Sequence, residues 1–466
     1  MSERLSSLSL AEDNIQHQLT TRSWFIPLLM RLHFYIGLFV GPFMLIAALS
    51  GIFYALTPQI ESYYYADRLY HSSQGPALPL ALQIRAAQAD APAGAELAAV
   101  RPSAAPGENT RVLFNLADMQ ASERLAVFVD PVSAETHGQL PVYGTSGVLP
   151  LRTWLDRLHR SLLLGEVGRN YSELAASWLW LAALGGLVLW GVRRRAARRQ
   201  RGIRGVHQQL GLIILLGLLF FSATGLTWSQ WAGENISVLR QQFGWATPSI
   251  STALHATSAM QADEHADHRA HSMPMMAQTR PEWQADSYDR VLLAARQAGI
   301  DAQKIEIRQP VAPGQAWSVS EIDRRWPTQV DAVAVDGATM RITDKVSFEH
   351  YPLAAKLTRW GIDLHMGVLF GWVNELVLVL FACGLVAMVV MGYVMWWRGR
   401  PTRATGKPPR SPWLVLRRTP KGWLSVIVVF TLLLALALPV MGISLLLFLL
   451  CDLLRYIWQK QHRALK

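Results

Sequence analysis

Four apolar runs, at 34–56, 174–192, 208–231 and 372–397, each come close to the ~20 residues with which an α-helix crosses a bilayer. Helices that are hydrophobic all round at that length commit a chain to the membrane rather than to a soluble core. A fifth apolar stretch, 423–458, is too long for one span, because a helix rises ~1.5 Å per residue. Pro439 and Gly442 interrupt it, which predicts a tight hairpin of two short helices. The fold class that follows is an α-helical integral membrane protein of about six transmembrane helices. It has a duplicated 2+2 core plus a C-terminal hairpin, and it carries two long polar segments. A composition of 51% hydrophobic and only 17% charged residues agrees with a membrane protein that keeps substantial soluble parts.

The charge orients it. The net charge of +11 is concentrated in short segments, with seven Arg between Arg193 and Arg204 and eight Lys or Arg between Arg398 and Lys421. Short basic loops stay in the cytoplasm, so this charge is a topology signal and calls for no nucleic acid partner. The expected order is a cytoplasmic N-terminus (1–24), a first helix (25–56) and an exported segment (57–150). An amphipathic helix leads into the second span (151–192), followed by a basic loop (193–205) and a third span (206–232). A second exported segment (233–355), another amphipathic helix with its span (356–397) and a basic loop (398–421) come next. The hairpin (422–458) and a cytoplasmic tail (459–466) complete the chain. The first apolar run has no small-residue cleavage site after it and reads as an uncleaved helix. Cys383 and Cys451 both lie in apolar runs, which gives the exported parts no disulfide and no thiolate site.

Both exported segments read as small α+β units. The first gives a helix near 80–89, strands near 111–116 and 125–129, and a turn at Asp130-Pro131. The second gives a helix near 288–298, strands near 305–308, 316–321 and 329–335, and a hairpin turn at Asp336-Gly337. Val-Phe-Val-Asp ending at Asp130 and Val-Ala-Val-Asp ending at Asp336 each stand 29 residues before a histidine, His159 and His365. The repeat therefore spans exported segments and helices alike. One stretch breaks it: 255–276 holds four His and four Met, including His255 and Met276. It reads as a polar low-complexity loop with no catalytic part, copper capture being the alternative.

The repeat carries four histidines. His33 and His207 each open a span as His-x3-Gly-Leu, and a small-hydroxyl-Gly pair follows (Ser50-Gly51, Thr224-Gly225) with its glycine 18 residues on. His159 and His365 each follow a Trp by five residues and precede Gly at +6, Gly at +27 and Trp at +31. Topology puts His33 and His207 at the cytoplasmic ends of the first and third helices, and His159 and His365 near the opposite face. The natural pairs are His33 with His207 and His159 with His365, one member from each half. A structural zinc site wants four ligands and a catalytic one three, whereas each face here offers two imidazoles without a matched carboxylate or thiolate. Two axial imidazoles complete a heme iron, because the porphyrin supplies the other four donors. Bis-histidine ligation leaves iron no open position, which suits electron transfer. Gly37 and Gly211 serve either to let a flat ring approach or to let helices pack. Arg31 and Arg193–Arg195 are candidates for propionate contacts at the inner face, and Arg160 at the outer one. Trp154, Trp190, Trp360 and Trp396 read as interface anchors. Arg169 and Glu375, ten residues after the outer histidines, read as interfacial charges or as members of an outer substrate site.

The segments Leu-His-Phe-Tyr-Ile-Gly-Leu (32–38), Leu-His-Arg-Ser-Leu-Leu-Leu-Gly-Glu-Val-Gly-Arg (158–169) and Val-His-Gln-Gln-Leu-Gly-Leu (206–212) resemble those of a known family. So do Leu-His-Met-Gly-Val-Leu-Phe-Gly (364–371) and Met-Trp-Trp-Arg-Gly-Arg-Pro (395–401). Together they resemble the PepSY-associated transmembrane family, within it the branch of FoxB/PiuB-type siderophore iron reductases. Gln208-Gln209 depart from the basic residue expected after His207. The resemblance implies a multi-pass protein of the bacterial inner membrane whose exported segments are two PepSY-like periplasmic domains. It further implies two heme b groups on His33, His207, His159 and His365, and reduction of ferric iron in periplasmic siderophore chelates. No dinucleotide-binding Gly-x-Gly-x-x-Gly loop follows a strand, so the expected electron donor is a membrane quinol or a separate cytoplasmic reductase. Two other readings stand beside it: a heme electron carrier or quinol oxidoreductase serving another periplasmic acceptor, and a non-redox PepSY-like binding or sensory membrane protein.

Overall fold

A computed structural model describes residues 24–120, 122–144, 146–197, 201–254, 283–399, 416 and 419–464. The chain divides into a membrane unit (Met1–Ile52, Arg157–Val238, Val379–Lys466) and a sheet unit (Phe53–Asp156, Leu239–Leu378). In order, the first repeat gives α1 (Trp24–Ala55), α2 (Thr57–Tyr64), α3 (Ala66–Leu69), α4 (Leu80–Asp90), β1 (Glu96–Arg101), β2 (Thr110–Asn115), β3 (Glu123–Val129), β4 (Thr136–Tyr143), α5 (Pro150–Ser161) and α6 (Gly165–Ala197). The second gives α7 (Ile203–Ile213), α8 (Leu215–Thr227), α9 (Trp231–Gln242), α10 (Asp286–Gln297), β5 (Ile305–Arg308), β6 (Trp317–Glu321), β7 (Ala332–Val335), β8 (Ile342–Val346), α11 (Leu353–His365) and α12 (Trp372–Gly399), before the terminal α13 (Lys421–Ala437) and α14 (Pro439–Ala464).

This is a multi-pass membrane protein. Among the described residues, four helical stretches are long and apolar enough to cross a membrane: Trp24–Ala55, Gly165–Val192, Trp372–Gly399 and Pro439–Trp458. A further candidate is the pair α7 and α8, bent by 60° at a break, while α13 is apolar but shorter. The expected break in the C-terminal apolar stretch is present, with Leu438 standing between α13 and α14. The second arm is longer than a short hairpin helix, because Pro439 occupies its first position, where a missing N–H costs nothing.

The two helices that carry His33 and His207 are both irregular just past their histidine. In α1 a π-turn spans Ile36–Val40, with the Gly41 N–H reaching back to the Ile36 carbonyl. Pro42 is the cause. It has no N–H for the Leu38 carbonyl four residues earlier, and the Tyr393 hydroxyl donates to that orphan at 2.6 Å. In the second repeat the bend comes at Ile214, seven residues past His207 as Val40 is past His33.

The expectation of two separate α+β domains is corrected. The strands form one eight-stranded antiparallel sheet in the order β4-β3-β2-β1-β5-β6-β7-β8, so the two segments join edge to edge through β1 and β5. Left apart, each half would expose a strand edge carrying Val100 or Ile307, both fully buried here. A common core under the joined sheet takes Ile84 and Val291 from α4 and α10 together with Val100, Val127, Ile307 and Trp317. The seam is held by polar contacts too. Arg101 donates through Nε to buried Glu306 at 2.6 Å, and the Asp289 carboxylate accepts the N–H groups of Leu80 and Ala81 at 2.8 and 3.0 Å. Asp289 thus caps a helix of the other repeat.

Within each half the repeat persists into the loops. Asp130 N–H donates to Glu135 O and Asp336 N–H to Arg341 O, and both loops hold a residue at positive φ, Ala134 and Met340. The expected hairpin turn at Asp336-Gly337 is present between β7 and β8, as a loop that runs on to Arg341. Here the Asp336 carboxylate accepts from Ala338 N–H and Thr339 hydroxyl, which fixes the chain without a glycine-type hairpin.

Candidate functional site

The structure brings His33 and His207 to the walls of one cavity in the membrane unit, with a volume of about 350 Å³. Five glycines line it: Gly37, Gly41, Gly186, Gly211 and Gly392. Two of these are the +27 glycines of the repeat and two the glycines one turn past each inner histidine. A Cβ at Gly186 would stand 3.2 Å from the His33 ring, so the bare backbone there is what lets α6 approach the imidazole. Met388, Trp190, Trp396 and Tyr393 add to the wall.

Each imidazole has a definite arrangement. His33 Nδ1 lies 3.0 Å from the carbonyl oxygen of Ala182. A carbonyl only accepts, so the proton sits on Nδ1 and the Nε2 lone pair is left as a donor to a metal. The Nδ1 of His207 is buried without a hydrogen bond of good geometry, and the ring lies against the backbone of Met388.

His159, near the C-terminal end of α5, belongs to the membrane unit. Its Nδ1 lies 3.1 Å from the Ser50 hydroxyl. Ser50 sends its own hydrogen to the Ile46 carbonyl at 2.7 Å, so toward the imidazole it is the acceptor, and Nδ1 again carries the proton. Gly51 makes room, since a Cβ there would lie 3.3 Å from His159 Cε1. The Tyr171 hydroxyl donates to the His159 carbonyl and steadies the helix end. His365 is the last residue of α11 and belongs to the sheet unit. Two residues before it, fully buried Asp363 is held by Arg324 and, at 3.3 Å, by Arg359. The Asn374 amide donates to Leu364 O at 2.9 Å.

Other expected members fall elsewhere. Arg169 pairs with Glu166 at 3.3 Å, and Glu375 accepts from the Gln59 amide. The side chains of Arg193–Arg195 and the His/Met stretch 255–276 lie outside the described residues. Among the described residues, no group of three or more His, Cys, Asp or Glu is placed to hold a metal ion. Sequence reasoning missed Ser50 and Tyr393 as partners of the histidine-bearing helices. Ser50-Gly51 was visible as a repeated pair, whereas a hydroxyl that closes a π-turn leaves no signature.

Residues 30–399 match the PepSY-associated TM region. The chain belongs to that family. All four histidines and both halves of the sheet fall inside the matched stretch of this PepSY-associated protein. No curated protein matches it.

Proposed function

We propose that this PepSY-associated protein is a two-heme b reductase of the bacterial inner membrane that passes electrons outward to ferric iron held in siderophore chelates. The observation that carries the reading is the shared cavity of His33 and His207, which come from matched places in the two repeats. Two imidazoles on the walls of one glycine-lined cavity are the donor set a porphyrin iron takes. A heme held in this way supplies a one-electron ferric/ferrous couple without an open coordination position. Ala182 O fixes the His33 tautomer, and Gly186 and Gly211 clear the walls. On the same reading His159 serves a second heme, with Ser50 holding it in its Nδ1–H form.

Counting the bent pair and α13 as spans gives six helices with both chain ends in the cytoplasm. The sheet unit then faces the periplasm, where siderophore chelates are met. Ferric iron binds siderophore oxygen donors far more tightly than ferrous iron, so adding one electron loosens the chelate. Electrons come from a membrane quinol or a cytoplasmic reductase.

A reduced-minus-oxidised spectrum of the purified full-length protein tests the reading directly. A b-type spectrum that loses part of its amplitude in His33→Ala and part in His159→Ala is expected. A colourless preparation from heme-replete cells would sink it.

A further inference from the structure

The sheet unit holds a second cavity, of about 540 Å³, within the range that takes small ligands. Six Lys or Arg and four carboxylates line it. Two of the cations are neutralised from behind, Arg101 by Glu306 and Arg324 by Asp363. The other four, Arg111, Arg152, Lys304 and Arg325, have no carboxylate within 4.0 Å among the described residues.

Arg325 is exposed, but the surroundings of Arg111, Arg152 and Lys304 are not those of solvated surface charges. Arg111 rests over the Phe128 ring at 5.6 Å and makes one long contact, 3.4 Å to Gly147 O. Arg152 lies over Tyr54 at 4.5 Å, and its Nε is buried without a partner. Burial, then the neighbouring Arg101 guanidinium, pulls the Arg111 pKa down to about 10; burial, then Arg325, lowers that of Lys304. Positive charge is crowded here, and the carboxylates that act on it, Glu61, Glu108 and Asp323, do so without a direct ion pair among the described residues.

Three of the wall carboxylates are already engaged. Glu61 accepts the Arg152 N–H at 2.8 Å, Asp323 accepts the Arg325 N–H at 3.1 Å, and Glu375 accepts from Gln59. They anchor backbone and an amide instead of the four cations. The cavity also has a fixed address. Met366 and Gly367, the residues immediately after His365, form part of its wall. Arg152 donates to the Met366 carbonyl at 3.3 Å, and Arg324 reaches the Met366 sulfur at 3.4 Å.

We propose that this cavity binds a small polyanion, and that the ferric chelate the protein reduces is of the carboxylate-bearing class, seated beside His365. The anion site stands on the four cations alone; its identification with the chelate rests on the reductase reading. Arg111 and Arg152 supply planar guanidinium forks that match carboxylates, and Lys304 supplies a point charge.

The test is equilibrium binding of gallium(III) citrate, which has no accessible redox step, to full-length protein in detergent. A gallium trihydroxamate without free carboxylates serves as the comparison. Gallium citrate should bind tighter than the trihydroxamate, weaken with added salt, and lose about tenfold affinity in each of Arg111→Gln and Lys304→Gln. Exposed Arg325→Gln disturbs the fold least and keeps the test valid if Arg111→Gln does not fold. Equal binding of the two gallium complexes, or binding indifferent to Lys304→Gln and Arg325→Gln, would overturn the proposal. Gallium citrate binding to a protein without a heme spectrum would overturn only the reductase reading. A normal heme spectrum with no gallium citrate binding would overturn only this site.

Discussion

Replacing Ser50 by Ala separates a histidine that is merely buried from one that is held for a purpose. The Ser50 side chain is buried, and its oxygen is the acceptor for the Nδ1 proton of His159 at 3.1 Å. Alanine removes that acceptor and adds nothing to replace it. An imidazole N–H left without a partner in a buried site costs about 1–3 kcal/mol. Where the ring must stay in place to bind iron, that cost appears as a loss in ligand affinity of roughly 5- to 150-fold. Loss of an outer hydrogen bond to a metal-bound histidine typically falls inside that interval, at about 10- to 100-fold. The assay is heme titration of the apo-protein in a His33→Ala background, which leaves the outer site to be read alone. A second signature accompanies it. On the proposed function, the bond to Ser50 draws the Nδ1 proton away and makes the ring a stronger donor to ferric iron, so its removal should raise the midpoint potential of a heme held by His159. Ser50→Thr keeps a hydroxyl in place, and Thr224 holds the matched position in the second repeat, so threonine should restore both affinity and potential. An affinity unchanged within twofold in Ser50→Ala, or a Thr variant as weak as the Ala one, would refute the assignment of Ser50.

Two further predictions concern stability. At Glu306, burial alone would raise the pKa, but Arg101, Arg308 and Arg124 outweigh it and hold the carboxyl at about 2, below its ordinary 4.5. A folded-state pKa depressed this way contributes stability that is complete above the unfolded value and is lost as pH falls toward 2, worth about 3 kcal/mol. Glu306→Gln should therefore destabilise the sheet at neutral pH and flatten its acid sensitivity. Hydrogen exchange of β1 and β5 amides in the full chain reads both, and an unchanged exchange rate would count against the seam as drawn. In the membrane unit, a Cβ on Gly217 would fall 2.3 Å from the Phe381 ring. Gly217→Val should cost about 1–3 kcal/mol by overpacking, with partial recovery in the double variant carrying Phe381→Ala. Thermal unfolding of the detergent-solubilised protein measures it, and additive effects of the two changes would contradict direct contact.

The long apolar runs and the repeat were legible because they depend on length and spacing, which a sequence displays. Strands β2, β3, β5, β6 and β7 were legible for the same reason, since apolar residues recur along each of them. The two outermost strands were not. β4 contains Gly138 and Pro141, and β8 reads Ile-Thr-Asp-Lys-Val, the kind of interrupted or charged pattern that keeps an edge from pairing further. β1 was missed for another reason: Glu-Leu-Ala-Ala-Val-Arg has helix-favouring composition, and its strand form is imposed by neighbours on both sides. The inner site was half legible. Spacing named His33 and His207, but the Ala182 carbonyl that sets the His33 tautomer is a backbone atom and leaves no trace in residue type. The polar cavity of the sheet unit escaped altogether, because its four cations come from β2, α5 and two loops far apart in the chain.

The join between the repeats has a consequence for how such a chain divides. A duplicated protein whose halves fold separately can in principle be cut between them. Here the halves share a sheet seam at β1–β5, a helix cap from Asp289 onto α4, and a cavity that needs one histidine from each. Each repeat alone would carry an unpaired strand edge bearing fully buried Val100 or Ile307, together with one of the two cavity histidines. The Arg101–Glu306 contact makes the dependence stricter, since the first half would lose the carboxylate that neutralises Arg101 and the second would keep only Arg308 against Glu306. Symmetry is then free to drift in details that each half settles for itself. The break past His33 is a π-turn forced by Pro42 and closed by Tyr393, while the one past His207 is a bend at Ile214 that needs no proline. What the two repeats hold in common is the spacing that puts two imidazoles on one cavity, and that is the property a shared ligand would enforce.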